Sequence, residues 1–302
     1  MPVFTEKSIV EDYITDKLKE KGWKYIPGEA LEREDYSEPL LINDFIRAIK
    51  KMNENLELSE SDVNRVLAEL KSKPASFEGP KHILRFLKQG IAIKLEKTRE
   101  LKYINLLDQE NPENNDFVVS NQVWFESSRG RIRPDIVLYV NGIPLVVIEC
   151  KNPTDPGVSW GDAYKQVKDY ENTVQELFKY AQFSIAAEAT ARYFPNVLGL
   201  KDVEACLWRE EGFEDDLDAT LEMLSKPTLI DLLVNFTFAR EERGKSAKVL
   251  PRFMQYDAAN LVYKREIDNL EGKEKKDSGL VWHWQGSGKT LAMIFDLNPI
   301  AI

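Results

Sequence analysis

Apolar positions recur at helical spacing over residues 6–21, where Ile9, Tyr13 and Leu18 fall near one stripe and Gly22 supplies a stop. The spacing predicts an amphipathic first helix. Helical periodicity returns over 40–52, 60–71 and 82–89, with cap-forming side chains between Ser59 and Asp62, so about 27–100 reads as a helical insertion. Strand character follows at 101–107, 117–126, 135–140 and 145–151, and the last two runs flank Asn141-Gly142. Asn-Gly between apolar runs signals a hairpin. Both runs are almost continuously apolar instead of alternating, which predicts strands in the middle of a sheet with helices on both faces. A covering helix is expected over 159–180, then short strands at 183–188 and 190–194. Beyond Gly212 the acidic stretch 214–218 reads as a loop, and a short helix is expected over 228–239. A soft domain boundary is placed near residue 225.

Composition changes this picture little. At 302 residues and 43% apolar, the chain is long enough to bury a substantial core. No apolar run approaches the roughly 20 residues that span a bilayer, and no basic segment followed by an apolar stretch opens the chain, so a cytoplasmic protein without a membrane partner is expected. The two cysteines, Cys150 and Cys206, lack metal-type spacing and read as reduced. A net charge of -10 argues mildly against a nucleic-acid partner, but net charge describes solubility better than it describes sites.

The densest chemistry lies in Arg133-Pro134-Asp135 and Glu149-Cys150-Lys151, at the ends of the two apolar runs. Folding the hairpin brings two carboxylates and an ammonium to one end of the sheet, and Glu149 and Lys151, two apart on a strand, share a face. Such a cluster suits phosphodiester hydrolysis, with carboxylates holding Mg²⁺ and a lysine orienting water or offsetting charge at phosphorus. Cys150 would offer its backbone carbonyl, since its sulfur is a poor match for Mg²⁺. The reading carries a register condition. A strict two-residue Asn141-Gly142 turn pairs Asp135 with Ile148 and sends the carboxylates to opposite faces, so a longer loop or a bulge is required. Spacing alone favours a pair of strand-end caps with a surface ion pair, and the position at the ends of two buried strands makes the two readings equal.

The pattern Pro134-Asp135 and Glu149-x-Lys151 resembles the PD-(D/E)xK nuclease signature. With Asn121-Gln122-Val-Trp-Phe, Asn141-Gly-Ile-Pro-Leu-Val-Val-Ile-Glu and Lys151-Asn-Pro, it resembles the R subunits of type I restriction enzymes. The resemblance implies that Asp135 and Glu149 are metal ligands and Lys151 the catalytic lysine. Gln166 and Tyr170 resemble the Gln-x-x-x-Tyr element of RecB-like nucleases and, at i and i+4, share a helix face. Glu11 matches an acidic position of these nucleases that would complete the metal shell.

A second constellation, His283-Trp-Gln-Gly286-Ser287-Gly288-Lys289-Thr290, follows an apolar Leu280-Val-Trp. It reads as a phosphate-binding loop in which Lys289 reaches the β and γ phosphates and Thr290 ligands Mg²⁺. His283 replaces the first glycine of the general pattern, and the form is similar to motif I of superfamily 2 helicases. The stretch from Arg252 to Ala258 resembles the helicase Q motif, which makes Gln255 the expected reader of adenine. With twelve residues after Thr290, the remaining motor elements are missing. A fragment with weak or absent ATP hydrolysis is expected, its tail from Asp296 continuing the helix poorly.

The expected fold is α/β: a PD-(D/E)xK core over 1–225 with a central mixed sheet flanked by helices, then a linker and the truncated start of a RecA-like translocase over 226–302. The resemblance implies Mg²⁺-dependent cleavage of double-stranded DNA, ATP use by the whole subunit, and methyltransferase and specificity subunits as partners. Two alternatives remain: another helicase-coupled nuclease, type III-like or repair, and a catalytically silent DNA-binding or assembly module.

Overall fold

The computed structural model describes residues 7–297 apart from 77, 201, 210, 211, 214, 243, 244, 274, 277 and 283–287. In chain order, α1 (Lys7–Glu20) leads into β1 (Lys24–Tyr25), and α2 (Ile42–Met52), α3 (Glu60–Lys71) and α4 (Gly79–Gln89) precede a hairpin of β2 (Ile91–Lys94) and β3 (Leu101–Ile104). Next come β4 (Phe117–Asn121), the small hairpin β5 (Phe125–Ser127) and β6 (Gly130–Ile132), and the apolar pair β7 (Ile136–Val140) and β8 (Ile143–Cys150). Helices α5 (Trp160–Thr173) and α6 (Gln175–Phe178) precede β9 (Phe183–Ala187) and β10 (Ala191–Pro195). The remainder holds α7 (Asp216–Glu222), α8 (Lys226–Asp231), a hairpin of β11 (Phe238–Glu242) and β12 (Lys245–Val249), α9 (Phe253–Leu270) and α10 (Lys289–Leu297).

The central sheet is six-stranded and mixed, in the order β1-β4-β7-β8-β9-β10. β1 runs parallel to β4 and β8 parallel to β9, while β4-β7, β7-β8 and β9-β10 are antiparallel. Every residue of β7 and β8 is buried, as two-sided coverage requires. Ile136, Leu138, Ile148 and Cys150 join the cluster formed with α1 to α4, whereas Val137, Tyr139 and Val147 pack with Ala163 and Val167 of α5 and with α6. The first of these clusters continues through Leu229 and Phe236 to Ala259 and Phe295.

Several elements form where local chemistry places them. Ser59 and Asp62 close a capping box on α3, and Ser159 and Asp162 do so on α5. Asn141 and Gly142 both take positive φ, 51° and 76°, as a two-residue hairpin turn demands.

Other expectations are corrected. The buried stripe of α1 is Val10, Glu11, Ile14, Thr15 and Leu18, while Tyr13 is exposed and donates to Asp218; the Ile9 side chain lies outside the described residues. A 3.6-residue period fits either stripe, and only the sheet decides which one is covered. The single strand expected over 117–126 breaks at Gln122 into β4 and β5. The helix expected over 159–180 divides at Val174 into α5 and α6. The acidic stretch taken for a loop begins α7 instead, with the Asp215 carboxylate accepting from the Leu217 and Asp218 amides. α8 passes into a π turn over Leu232–Phe236, and Ala239 belongs to β11, a hairpin that the sequence reading did not anticipate.

Lys248 of β12 fastens that hairpin to the sheet, donating to the Ala181 carbonyl at 3.4 Å and the Gln182 carbonyl at 3.0 Å. Burial lowers its pKa to about 7. The unfolded chain keeps this proton to about pH 10, so between pH 7 and 10 the unfolded state binds more protons and stability rises with pH. Below the folded pKa this group contributes no further slope. Melting curves of Lys248→Met are expected to lose that share of the rise between pH 7 and 9.5. A variant climbing as steeply as the parent would assign the titration elsewhere.

Candidate active site

The hairpin register meets its condition through a bulge. Val140 pairs with Ile143 across the tight turn, but the pairing shifts between Tyr139 and Leu138, so Leu138 faces Val146 and Ile136 faces Ile148. Leu145 is the inserted residue, and its carbonyl accepts from the Gln182 amide at 2.7 Å. Continuing the shifted register places Asp135 opposite Glu149, both on the side of the sheet that α5 covers. A two-residue turn and a shared face are thus both realised.

Asp135 and Glu149 are fully buried. Asp135 Oδ2 accepts from the Cys150 amide at 2.8 Å and Oδ1 from Gln122 Nε2 at 3.0 Å. The Lys151 ammonium lies 3.2 Å from Glu149 Oε1 and also donates to Gln166 Oε1. Gln166 in turn donates to the Tyr170 hydroxyl, which donates to the Arg133 carbonyl at 3.4 Å. The sequence-derived set Asp135, Glu149, Lys151, Gln166 and Tyr170 therefore forms one chain of contacts. Burial, then the charge of Glu149, pushes the Tyr170 phenol above its ordinary range, so it stays a neutral donor.

Glu11 enters from α1. Its carboxylate accepts from Asn121 Nδ2 at 3.0 Å and from Gln122 Nε2 at 2.6 Å. Burial foremost, and then Asp135, raise its pKa. The Gln122 amide thus stands between two carboxylates. Its backbone amide also donates to the Asp135 carbonyl at 2.7 Å, and its φ is 53°, an uncommon value for a residue with a Cβ. The sequence reading assigned no role to Asn121 or Gln122. The usable signal was their place in the stretch Asn121-Gln122-Val-Trp-Phe that carries the family resemblance.

Buried carboxylates at paired strand ends, with one ammonium beside them, form a donor set suited to a hard divalent cation. Among the described residues no group of three or more His, Cys, Asp and Glu side chains is arranged to hold a metal ion. The carboxylates brought together are Asp135 and Glu149, while that of Glu11 is engaged by the amides of Asn121 and Gln122.

In the second constellation, Gly286 and Ser287 lie outside the described residues, together with His283, Trp284 and Gln285. Gly288 has φ 80°, and Lys289 and Thr290 open α10 on the surface. Gln255 is buried at the start of α9: its Oε1 accepts from the Arg252 amide at 2.9 Å, and its Nε2 donates to the Gly288 carbonyl at 3.3 Å. Arg252 pairs with Glu204 at 2.5 Å. Gln255 and Gly288 are thus in contact, although 33 positions separate them. Cys150 and Cys206 are free thiols, and among the described residues no helix is long and apolar enough to cross a membrane.

A mixed sheet carrying this cluster at the ends of its two central strands describes a nuclease-like α/β domain, and comparison with known proteins gives the family. Residues 3–201 match the family described as type I restriction enzyme R protein N terminus, so the chain belongs to that family. Residues 254–301 match the family described as SWI2/SNF2 ATPase. A putative type I restriction enzyme MjaVIIIP endonuclease subunit of Methanocaldococcus jannaschii is 31% identical over 95% of this chain and 28% of its own length. The type I restriction enzyme HindI endonuclease subunit of Haemophilus influenzae is 30% identical over 95% of this chain and 29% of its own. The chain thus spans under a third of the length of these relatives.

Proposed function

We propose that this chain is the DNA-cleaving segment of a type I restriction subunit: a PD-(D/E)xK core over 1–225 joined to the start of a RecA-like, ATP-driven translocase over 226–302. Its substrate is double-stranded DNA, and the reaction is Mg²⁺-dependent endonucleolytic cleavage in a cytoplasmic complex with methyltransferase and specificity subunits. The observation that carries this reading is the bulge at Leu145, which sets Asp135 opposite Glu149 beside Lys151. A hairpin serving only as scaffold has no need to bury two carboxylates on one face.

Asp135, Glu149 and the Cys150 carbonyl would hold Mg²⁺, which when bound supplies Lewis-acid polarisation of the scissile phosphate. The chain's own groups perform the rest. Lys151, held between Glu149 and Gln166, directs its ammonium toward charge developing at phosphorus or toward the attacking water. Tyr170 fixes the orientation of Gln166, so the lysine keeps one position. In the whole subunit, Arg252, Gln255 and the loop Gly286-Ser287-Gly288-Lys289-Thr290 would take ATP.

The test is Mg²⁺-dependent DNA cleavage by the full-length subunit assembled with its methyltransferase and specificity partners. Glu149→Ala and Lys151→Ala are each expected to reduce cutting by on the order of a thousandfold while ATP hydrolysis continues. Undiminished cutting in both variants would place strand scission elsewhere and leave this hairpin a silent module.

A further inference from the structure

Beside the carboxylate cluster lies a cleft of about 1380 Å³ to which Asn121 and Gln122 contribute. One wall is the β5-β6 hairpin, where β6 ends on exposed Arg131 and buried Ile132 and exposed Arg133 follows directly after it. Residues two apart on a strand repeat at about 7 Å, close to the separation of successive phosphates along one DNA strand. Arg133 is also two residues ahead of Asp135, in the short link between β6 and β7, so the arginines lead along the chain to the carboxylate cluster.

Each of these arginines has an aromatic neighbour. The Arg133 guanidinium lies 5.3 Å from the Trp124 ring centre and that of Arg131 5.7 Å from Tyr36. Trp124 and Tyr36 are 41% and 46% exposed, so both rings are open to solvent. Arg33 secures the arrangement: it donates to the Trp124 carbonyl at 2.7 Å and lies 4.7 Å from the Phe125 ring centre. Gly28 closes the floor, where a Cβ would come within 2.4 Å of the Asn121 carbonyl. A guanidinium placed against a ring is held in one orientation, and its planar N–H fork favours paired hydrogen bonds to a phosphate. Acidic residues line the cleft as well. Glu126 is engaged by Arg131 at 2.6 Å, an exposed pair that a phosphate can displace at small cost. Arg133 has no carboxylate partner among the described residues.

We infer that Arg131 and Arg133, backed by Tyr36 and Trp124, form a phosphate track that seats the backbone of one DNA strand and leads it to Asp135 and Glu149. The inference rests on the DNA-cleaving reading but concerns binding, and the two fail separately. The track sets where the strand lies, and it acts before any chemistry.

The experiment measures binding of a short fluorescein-labelled duplex to this chain by anisotropy, without Mg²⁺, across a salt series. The slope of log affinity against log salt is expected to fall by about 0.9 for each phosphate contact removed, in Arg133→Gln and again in the Arg131→Gln/Arg133→Gln pair. Arg133→Lys should keep the slope but lose affinity, since the charge remains without the planar fork. Trp124→Ala should weaken binding with the slope unchanged. Lys97→Gln, a similar exposed charge on the β2-β3 hairpin, should change neither. Melting curves confirm that the variants fold. Parent-like slopes in both arginine variants, or an equal effect from Lys97→Gln, would overturn the track. Glu149→Gln that binds normally yet still cuts would overturn the cleavage reading and leave the track standing.

Discussion

Asp135→Asn is expected to fail twice, losing DNA cleavage by on the order of a thousandfold and stability by about 1–3 kcal/mol. The side chain is wholly buried, and its two oxygens accept from the Cys150 amide and from Gln122 Nε2. A carboxylate satisfies both donors, and the charge strengthens both bonds. A carboxamide must turn its NH₂ toward one of them, which leaves a donor facing a donor where water cannot relieve it. The same substitution removes one of the two carboxylates proposed to hold Mg²⁺. Melting temperatures with and without Mg²⁺ separate the two losses. The parent should gain stability with rising Mg²⁺ as binding to the folded state requires, whereas Asp135→Asn should melt lower in its absence and gain little on addition. Cleavage at the parental rate would remove Asp135 from the reaction. A parental melting point without Mg²⁺ would deny the two hydrogen bonds their structural weight.

This double role explains why some of the site was legible in the sequence and some was not. Asp135, Glu149 and Lys151 stood out because polar residues ended two apolar runs. The demand that Asp135 and Glu149 share a face is enough by itself to require a bulge or longer loop, and the bulge occurs at Leu145. Gln166 and Tyr170 were legible only through their resemblance to the Gln-x-x-x-Tyr element, with helical spacing then bringing them together. Gln122 was not, because its role depends on a backbone turn with φ 53° and on α1 arriving from more than a hundred residues upstream to present Glu11. The stripe of α1 failed in the same way: Tyr13 suits the core on hydropathy, yet the sheet covers Val10, Ile14 and Leu18, and Tyr13 reaches Asp218 on the outside. The β11-β12 hairpin was missed because Phe238–Glu242 and Lys245–Val249 carry more charge than a strand pattern suggests. Its attachment relies on one lysine whose side-chain nitrogen donates to the Ala181 and Gln182 carbonyls just ahead of β9. Local periodicity and local caps were readable; long-range choices among equivalent faces were not.

Gly142 carries the other large effect, and it is one of stability. The turn needs φ 76° there, and a Cβ would fall 2.5 Å from the Leu41 carbonyl and 2.7 Å from the Phe45 amide nitrogen, backbone atoms that have no side-chain freedom with which to retreat. The Gly142 carbonyl accepts from the Leu41 amide at 2.9 Å, so the start of α2 sits directly on the hairpin that aligns Asp135 with Glu149. Asn141 adds hydrogen bonds to the Leu106 carbonyl at 2.9 Å and to Asn115 at 2.8 Å, leaving the turn little room to tilt away. Gly142→Ala therefore combines a left-handed backbone with a clash against main chain, and is expected to destabilise the fold by about 3–5 kcal/mol, or roughly 10 °C in Tm. Gly157→Ala is the matched comparison. Its φ is 88° and a Cβ there meets nothing within 4 Å, so it should show only the backbone strain of about 1–2 kcal/mol. Equal losses in the two variants would mean that α2 yields to the added methyl group, and the hairpin's alignment would then not depend on its contact with that helix. A much larger loss at Gly142 would tie the register of the catalytic pair to the seat that α2 provides.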